Sequence, residues 1–147
     1  MRDTVTILGA GCTGPLLGAL LAGRGHDVRI YERRPDARRV EQPAGRSINL
    51  ALAARGLAGL ERAGLMDAVR PLLMPMRGRL VHDLDGRTRF LPYGQRPHEL
   101  LWSVGRAALN RVLVGAAERR GVEIRFEHAC SGADFATATL RIDDLRT

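Results

Sequence analysis

The chain contains no lysine. All 23 of its basic residues are arginine, set against 16 Asp and Glu for a formal charge of +7. The arginines are interleaved with acids and form no basic block, so composition argues against a nucleic-acid-binding face. Cysteine is nearly absent: Cys12 and Cys130 stand far apart, which excludes a Cys-x-x-Cys motif or a disulfide framework and suits a reducing cytoplasm. His26, His82, His98 and His128 are scattered, with no Ser-His-Asp set, metal-ligand cluster or paired acids beside them. Aromatic residues make up only 4%. No apolar run approaches the ~20 residues needed to cross a bilayer, and the short run after Met1 is interrupted at Gly9, too soon for a secretory signal. What is abundant is apolar and small: 45% of the 147 residues are hydrophobic and 17 are glycine. That composition and length fit one α/β domain with a real core.

Strand-like and helix-like segments alternate. TVTIL (Thr4 to Leu8) is a β-branched run ending at Gly9 and reads as a buried strand. PLLGALLAGRG follows as a helix with Pro15 in its first turn and Gly25 as its stop. DVRIYE (Asp27 to Glu32) is a second strand, and strand, helix, strand in that order makes a right-handed parallel crossover. An Arg- and Pro-rich loop spans Arg33 to Gly45. The spaced Leu and Ala of SINLALAARGLAGLERAGL then predict a helix closing near Gly64. A hairpin over MPMRGRLVHDLDGRTRFLPYG and a strand at ELLWSV lead to residues 106–121, the clearest amphipathic helix. Leu109, Val112, Leu113 and Ala116 lie on its apolar stripe, and Gly121 is its stop. VEIRFEHA is a further strand, GAD at Gly132 to Asp134 a loop, and TATLRIDDLRT the start of another strand.

The chemistry gathers at GAGCTG. Gly9, Gly11 and Gly14 complete a G-x-G-x-x-G between a predicted strand and a predicted helix, so the tight turn, the close approach of backbone to a pyrophosphate and the helix packing each have their glycine. The helix N-terminus presents free N–H groups and a partial positive charge to the diphosphate. About twenty residues on, Glu32 ends the second strand, where this topology sets an acid against an adenosine ribose. Its charge would repel a 2′-phosphate, so FAD or NAD is favoured over NADP as the tightly held ligand. The long loop and the helix-hairpin insertion after the second strand replace the βα units usual in NAD dehydrogenases, which favours FAD.

GRSINLALAARG, PMRGRLVHDLDG, PYG and SVGRAALN, in this order behind the fingerprint, resemble the kynurenine-hydroxylating branch of the single-component FAD-dependent aromatic hydroxylases. The resemblance covers essentially the whole chain. It implies a Rossmann-like FAD-binding βαβ core with an inserted β-hairpin of the substrate sheet, residues 74–104 supplying the start of that sheet. It also implies that Gly9, Gly11, Thr13 and Gly14 cradle the FAD diphosphate and that Glu32 holds the ribose. Arg33 and Arg34 would lie along the adenine half, Ala51 would approach the flavin, Arg106 would reach the cofactor, and Cys130 would sit near the adenine end. Gly105 and Ala108 stand where the family more often has Ser and Glu, which affects only local hydrogen bonding. The implied reaction is hydroxylation of L-kynurenine to 3-hydroxykynurenine, a step of tryptophan degradation, with NADPH as transient reductant and O2 as co-substrate. FAD carries that chemistry, so no acid-base or metal set is required.

In the family a second FAD signature, an Asp-Gly motif, follows a later strand. GAD at Gly132 is followed by Phe135 and comes too early to be that motif, so the sequence reads as the amino-terminal portion of a longer enzyme, inactive alone. The hairpin's register stays open. A three-residue turn at Leu84-Asp85-Gly86 sets Arg79 against Leu91 and Arg77 against Tyr93, with Arg79 and Tyr93 diagonal on one face, whereas a two-residue Asp-Gly turn puts them on opposite faces. The resemblance favours the first register, because it implies that Arg79 and Tyr93 bind the substrate carboxylate, leaving Arg77 to structure or solvent. Two other classes remain: a dinucleotide-binding module without catalysis, and a basic nucleic-acid binder. Among enzymes the alternative is a hydroxylase of another aromatic substrate.

Overall fold

The computed structural model describes residues 4–39, 49–96 and 98–146. In chain order the elements are β1 (Thr4–Leu8), α1 (Thr13–Ala22), β2 (Asp27–Glu32), β3 (Asn49–Leu52), α2 (Ala54–Arg62), α3 (Met66–Val69) and a 3-10 turn (Arg70–Leu72). They continue as β4 (Met74–Met76), β5 (Gly78–His82), β6 (Thr88–Pro92), β7 (Leu101–Gly105), α4 (Arg106–Arg119), β8 (Glu123–Phe126), β9 (His128–Asp134) and β10 (Thr139–Asp144). They form two compact units: Met1–Gly45 with Ala107–Thr147, and Arg46–Arg106.

The first unit is built on a parallel sheet in the order β1-β2-β8, with Thr4 beside Asp27 and Arg29 beside Glu123. Central β2 alternates Val28 and Ile30, 2% and 0% exposed, with more accessible residues. Burying each such side chain contributes about 1.5–3 kcal/mol. Ala19, Ala117 and Val122 close the same core, with Val5, Ile7, Ile124 and Phe126 packed on it. Small residues let α1 sit close, since a Cβ on Gly18 would lie 3.2 Å from the Ile30 Cδ1 and 3.5 Å from Val122. On α4 the buried residues are Leu109, Leu113, Val114, Ala116 and Ala117, with Val112 only half-buried. The stop signals read at Gly25, Gly64 and Gly121 share one closure, with φ of 89°, 63° and 83°. In each helix the glycine N–H and the next N–H bond back to the last turn, as in Gly121 to Glu118 and Val122 to Ala117.

Three expectations in this unit are revised. β1 is not a buried strand: Val5 and Ile7 are half-buried while Thr4, Thr6 and Leu8 are exposed, because β1 ends the sheet order β1-β2-β8 among the described residues. VEIRFEHA is two strands, because Glu127 at φ 59° breaks it and its N–H turns away to the Arg34 carbonyl at 3.2 Å. Gly132 to Asp134 is the end of β9, paired antiparallel with β10 around a bulge at Arg141/Ile142, and not a loop.

The second unit has an antiparallel sheet in the order β3-β7-β4 and the separate β5–β6 hairpin. Leu60, Val69 and Val104 are its most buried apolar side chains. Here the predicted helix over SINLALAARG is corrected. Residues 49–52 are a strand, half-buried at Leu50 and Leu52 and exposed at Asn49 and Ala51, and the helix starts only at Ala54. Pairing of Leu50 with Val104 and Leu52 with Trp102 decides the outcome, since spaced Leu and Ala over four residues suit either period. Residues 40–48, which include most of GRSIN and the end of the Arg/Pro loop, lie outside the described residues.

Candidate functional site

The end of β1 and the start of α1 form one tight corner. Gly9, at φ 101°, donates its N–H to the Tyr31 carbonyl at 2.7 Å. A Cβ on Gly14 would stand 2.0 Å from the Gly9 carbonyl oxygen, so the helix start abuts the strand end and only glycine fits. Gly11 is the reverse case: it is exposed, and a Cβ there would meet nothing within 4 Å. Thr13 opens α1 and is exposed. The first turn of α1 carries no acidic residue and no side-chain cap, so the partial positive charge of the helix start is not offset by a side chain of that turn.

Glu32, at the end of β2, turns back to this corner. Its Oε2 accepts the Ala10 N–H at 2.7 Å and its Oε1 accepts the Arg34 N–H at 2.9 Å. A carboxylate offers about four lone-pair sites, so among the described residues each Glu32 oxygen keeps an acceptor position without a hydrogen-bond partner. Arg33 and Arg34 are exposed and have no ion pair among the described residues. Cys130 lies exposed on β9, where its thiol reaches the Gly132 carbonyl at 3.4 Å.

Sequence reasoning missed Asn110. Its Nδ2 donates to the Ala10 carbonyl at 2.7 Å, so α4 grips the loop that Glu32 grips from the other side. The available signal was a polar residue between Leu109 and Leu113 on an apolar stripe, which needs a partner. Farther along the loop after β2, Arg38 spans Asp36 and Glu118 and lies 5.9 Å from the centre of the Phe126 ring. Hydrogen bonds from Arg38 hold the Asp36 carboxyl below the usual carboxylate range.

In the second unit the hairpin closes through Leu84-Asp85-Gly86, with Gly86 at φ 83° and Asp83 N–H bonded to the Arg87 carbonyl at 2.8 Å. Arg79 pairs with Leu91 and the Tyr93 N–H reaches the Arg77 carbonyl at 3.0 Å. The three-residue register therefore holds, and it puts Arg79 and Tyr93 diagonally on one face. The same hydrogen bond sets Arg77 opposite Tyr93, as that register expects. Neither Arg77 nor Arg79 has a carboxylate partner among the described residues, whereas Arg87 and Arg89 pair with Asp85 and Asp83. The other face carries Leu80 and Phe90, whose ring covers Gly78. Ala51 is exposed on β3 opposite Ser103, and Arg106 is exposed at the first position of α4. Among the described residues no helix is long and apolar enough to cross a membrane, and no cluster of His, Cys, Asp or Glu could hold a metal ion.

The model of the FAD binding domain family matches residues 2–146. The chain belongs to that family. It is 46% identical over 143 residues to the kynurenine 3-monooxygenase of Salinispora arenicola, covering 96% of this chain and 32% of that protein. It is 43% identical over 144 residues to the kynurenine 3-monooxygenase of Myxococcus xanthus, covering 97% and 31%. The chain thus spans about a third of the length of these curated relatives. Among solved structures, the myxobacterial chondrochloren halogenase CndH, a variant of FAD-dependent halogenases, superposes with a TM-score of 0.76 at 23% identity, covering 99% of this chain and 33% of that one. That likeness supports the fold.

Proposed function

We propose that this chain is the FAD-binding part of an NADPH-dependent monooxygenase that hydroxylates L-kynurenine to 3-hydroxykynurenine. The observation that carries the reading is the β1–α1 corner: an open approach at Gly11, an uncapped helix start and a carboxylate with two spare acceptor positions beside it. These features fit a dinucleotide diphosphate and its ribose. Gly9, Gly11, Thr13 and Gly14 would hold the diphosphate, Glu32 the ribose hydroxyls, and Arg33, Arg34 and Cys130 the adenine half. Ala51 and Arg106 are assigned to the flavin on family resemblance alone. Bound FAD would supply the redox and oxygen chemistry, with NADPH and O2 as co-substrates. Two free thiols suit a cytoplasmic setting.

For the substrate, Arg79 offers a planar fork with no carboxylate partner among the described residues and Tyr93 a further donor on the same hairpin face, a pair suited to a carboxylate. High identity to two proteins named kynurenine 3-monooxygenase supports an aromatic amino acid as its owner. In the complete protein, Arg79→Lys is expected to raise KM for kynurenine more than tenfold, about 1.4 kcal/mol or more, with FAD retained. Arg89→Lys, at a guanidinium already engaged by Asp83, should leave KM within about twofold, as for an exposed pair of small worth. An unchanged KM for Arg79→Lys would return the hairpin to a solvated edge, and no turnover of kynurenine by the wild type would point to a different aromatic substrate.

A further inference from the structure

We propose that Asn110 is a positioning residue that sets the orientation of the Ala10–Gly11 peptide and so presents the Gly11 N–H to the dinucleotide diphosphate; the proposal rests on the FAD reading above. The two groups of Ala10 are held from opposite sides. Its N–H goes to Glu32 at 2.7 Å, and its carbonyl receives the Asn110 amide at 2.7 Å from α4, a hundred residues along the chain. The peptide unit is planar and trans, so the carbonyl of Ala10 and the N–H of Gly11 point in opposite directions across it. Drawing the carbonyl toward α4 turns the Gly11 N–H away from α4, at the position where the exposed Gly11 leaves open space.

The loop does not fix this plane by itself. Gly11 has no Cβ and tolerates either sign of φ, so the peptide between Ala10 and Gly11 is free to flip. A flipped peptide would present a carbonyl oxygen, and not an N–H, to a negatively charged phosphate. Glu32 holds the preceding peptide, between Gly9 and Ala10, and leaves this one unconstrained. Asn110 is the hydrogen-bonding partner that discriminates between the two orientations.

The test is calorimetric titration of the complete, flavin-free protein with FAD and with ADP, for the wild type and for Asn110→Ala, Asn110→Asp and Asn110→Gln, alongside urea unfolding of each. Asn110→Ala is expected to weaken both ligands about tenfold or more and by a similar factor, since ADP carries the diphosphate without the flavin. Asn110→Asp, which sets an acceptor against the Ala10 carbonyl, should weaken them further, and Asn110→Gln, which keeps the donor, should recover part of the loss. Affinities within twofold of wild type in folded Asn110→Ala and Asn110→Asp, with only the unfolding midpoint lowered, would make Asn110 a packing residue and overturn the proposal. Loss for FAD but not for ADP would also overturn it. Absence of FAD binding by the wild type itself would instead remove the dinucleotide reading, and this proposal with it.

Discussion

Gly14 and Gly11 stand three residues apart in one motif, yet the structure gives their substitution opposite consequences. A methyl group at Gly14 would lie 2.0 Å from the Gly9 carbonyl oxygen, where a carbon–oxygen contact needs about 3.3 Å. Both partners are backbone, so no side chain can swing aside, and α1 must withdraw from β1 by more than about 1 Å. Overpacking of this kind costs about 1–3 kcal/mol and occasionally more. The better helix propensity of Ala returns up to about 1 kcal/mol; a contact this short puts the overpacking at the upper end of its range, so Gly14→Ala should destabilise by about 2 kcal/mol. Gly11→Ala meets no atom within 4 Å and lacks a positive φ, so its stability should stay within about 0.5 kcal/mol. Its cost appears when ligand binds: a methyl where the backbone approaches the diphosphate would disturb a charge-assisted hydrogen bond worth about 1.5–3 kcal/mol, a ten- to hundredfold loss in FAD affinity. Urea unfolding of the flavin-free protein and fluorescence titration with FAD separate the two quantities. Equal loss of stability in both variants, or a Gly14→Ala protein as stable as wild type, would refute this division of roles.

Gly78→Ala would bring a methyl 2.4 Å from the Leu91 carbonyl oxygen and 2.5 Å from the Phe90 ring; amide hydrogen exchange should speed up across Gly78–His82 while FAD affinity is unchanged, and unaltered exchange would contradict the contact. Asp36, Glu123, Asp134 and Asp144 are all held below the usual carboxylate range, by Arg38, by Arg125 and Arg29, by Thr137, and by Arg146 respectively. Between the lowered folded values and the unfolded values near about 4, the unfolded chain binds more protons, so stability present at neutral pH should fall as pH drops below about 4. An unfolding midpoint flat between pH 6 and pH 3 would contradict these pairings.

What was legible in the sequence follows from how locally each feature is specified. β1, β2 and the three helix stops are fixed by short-range chemistry: β-branched runs and glycines that must adopt φ near +60° to +90°. A turn at Asp85-Gly86 was legible, but its length, and with it the register, is fixed by the ladder that pairs Arg79 with Leu91. β3 escaped because Asn49 to Leu52 owes its conformation to β7, fifty residues away, and four residues cannot display a period. The break at Glu127 depends on a bond to Arg34 across the fold. The fingerprint glycines and Glu32 could be read from spacing, whereas Asn110 could not: its meaning lies in a contact with Ala10 that no motif encodes.

On the proposed reading the β1–α1 corner and Glu32 together bind the adenosine diphosphate half of FAD. Calorimetric titration of the complete, flavin-free protein with FAD, in the wild type and in Glu32→Ala, tests it most directly. Saturable one-to-one binding that weakens at least tenfold in the variant is expected, since Glu32 accepts the Ala10 N–H and would offer its remaining acceptor positions to the ribose. No saturable binding by the wild type, or equal affinity in Glu32→Ala, would contradict it.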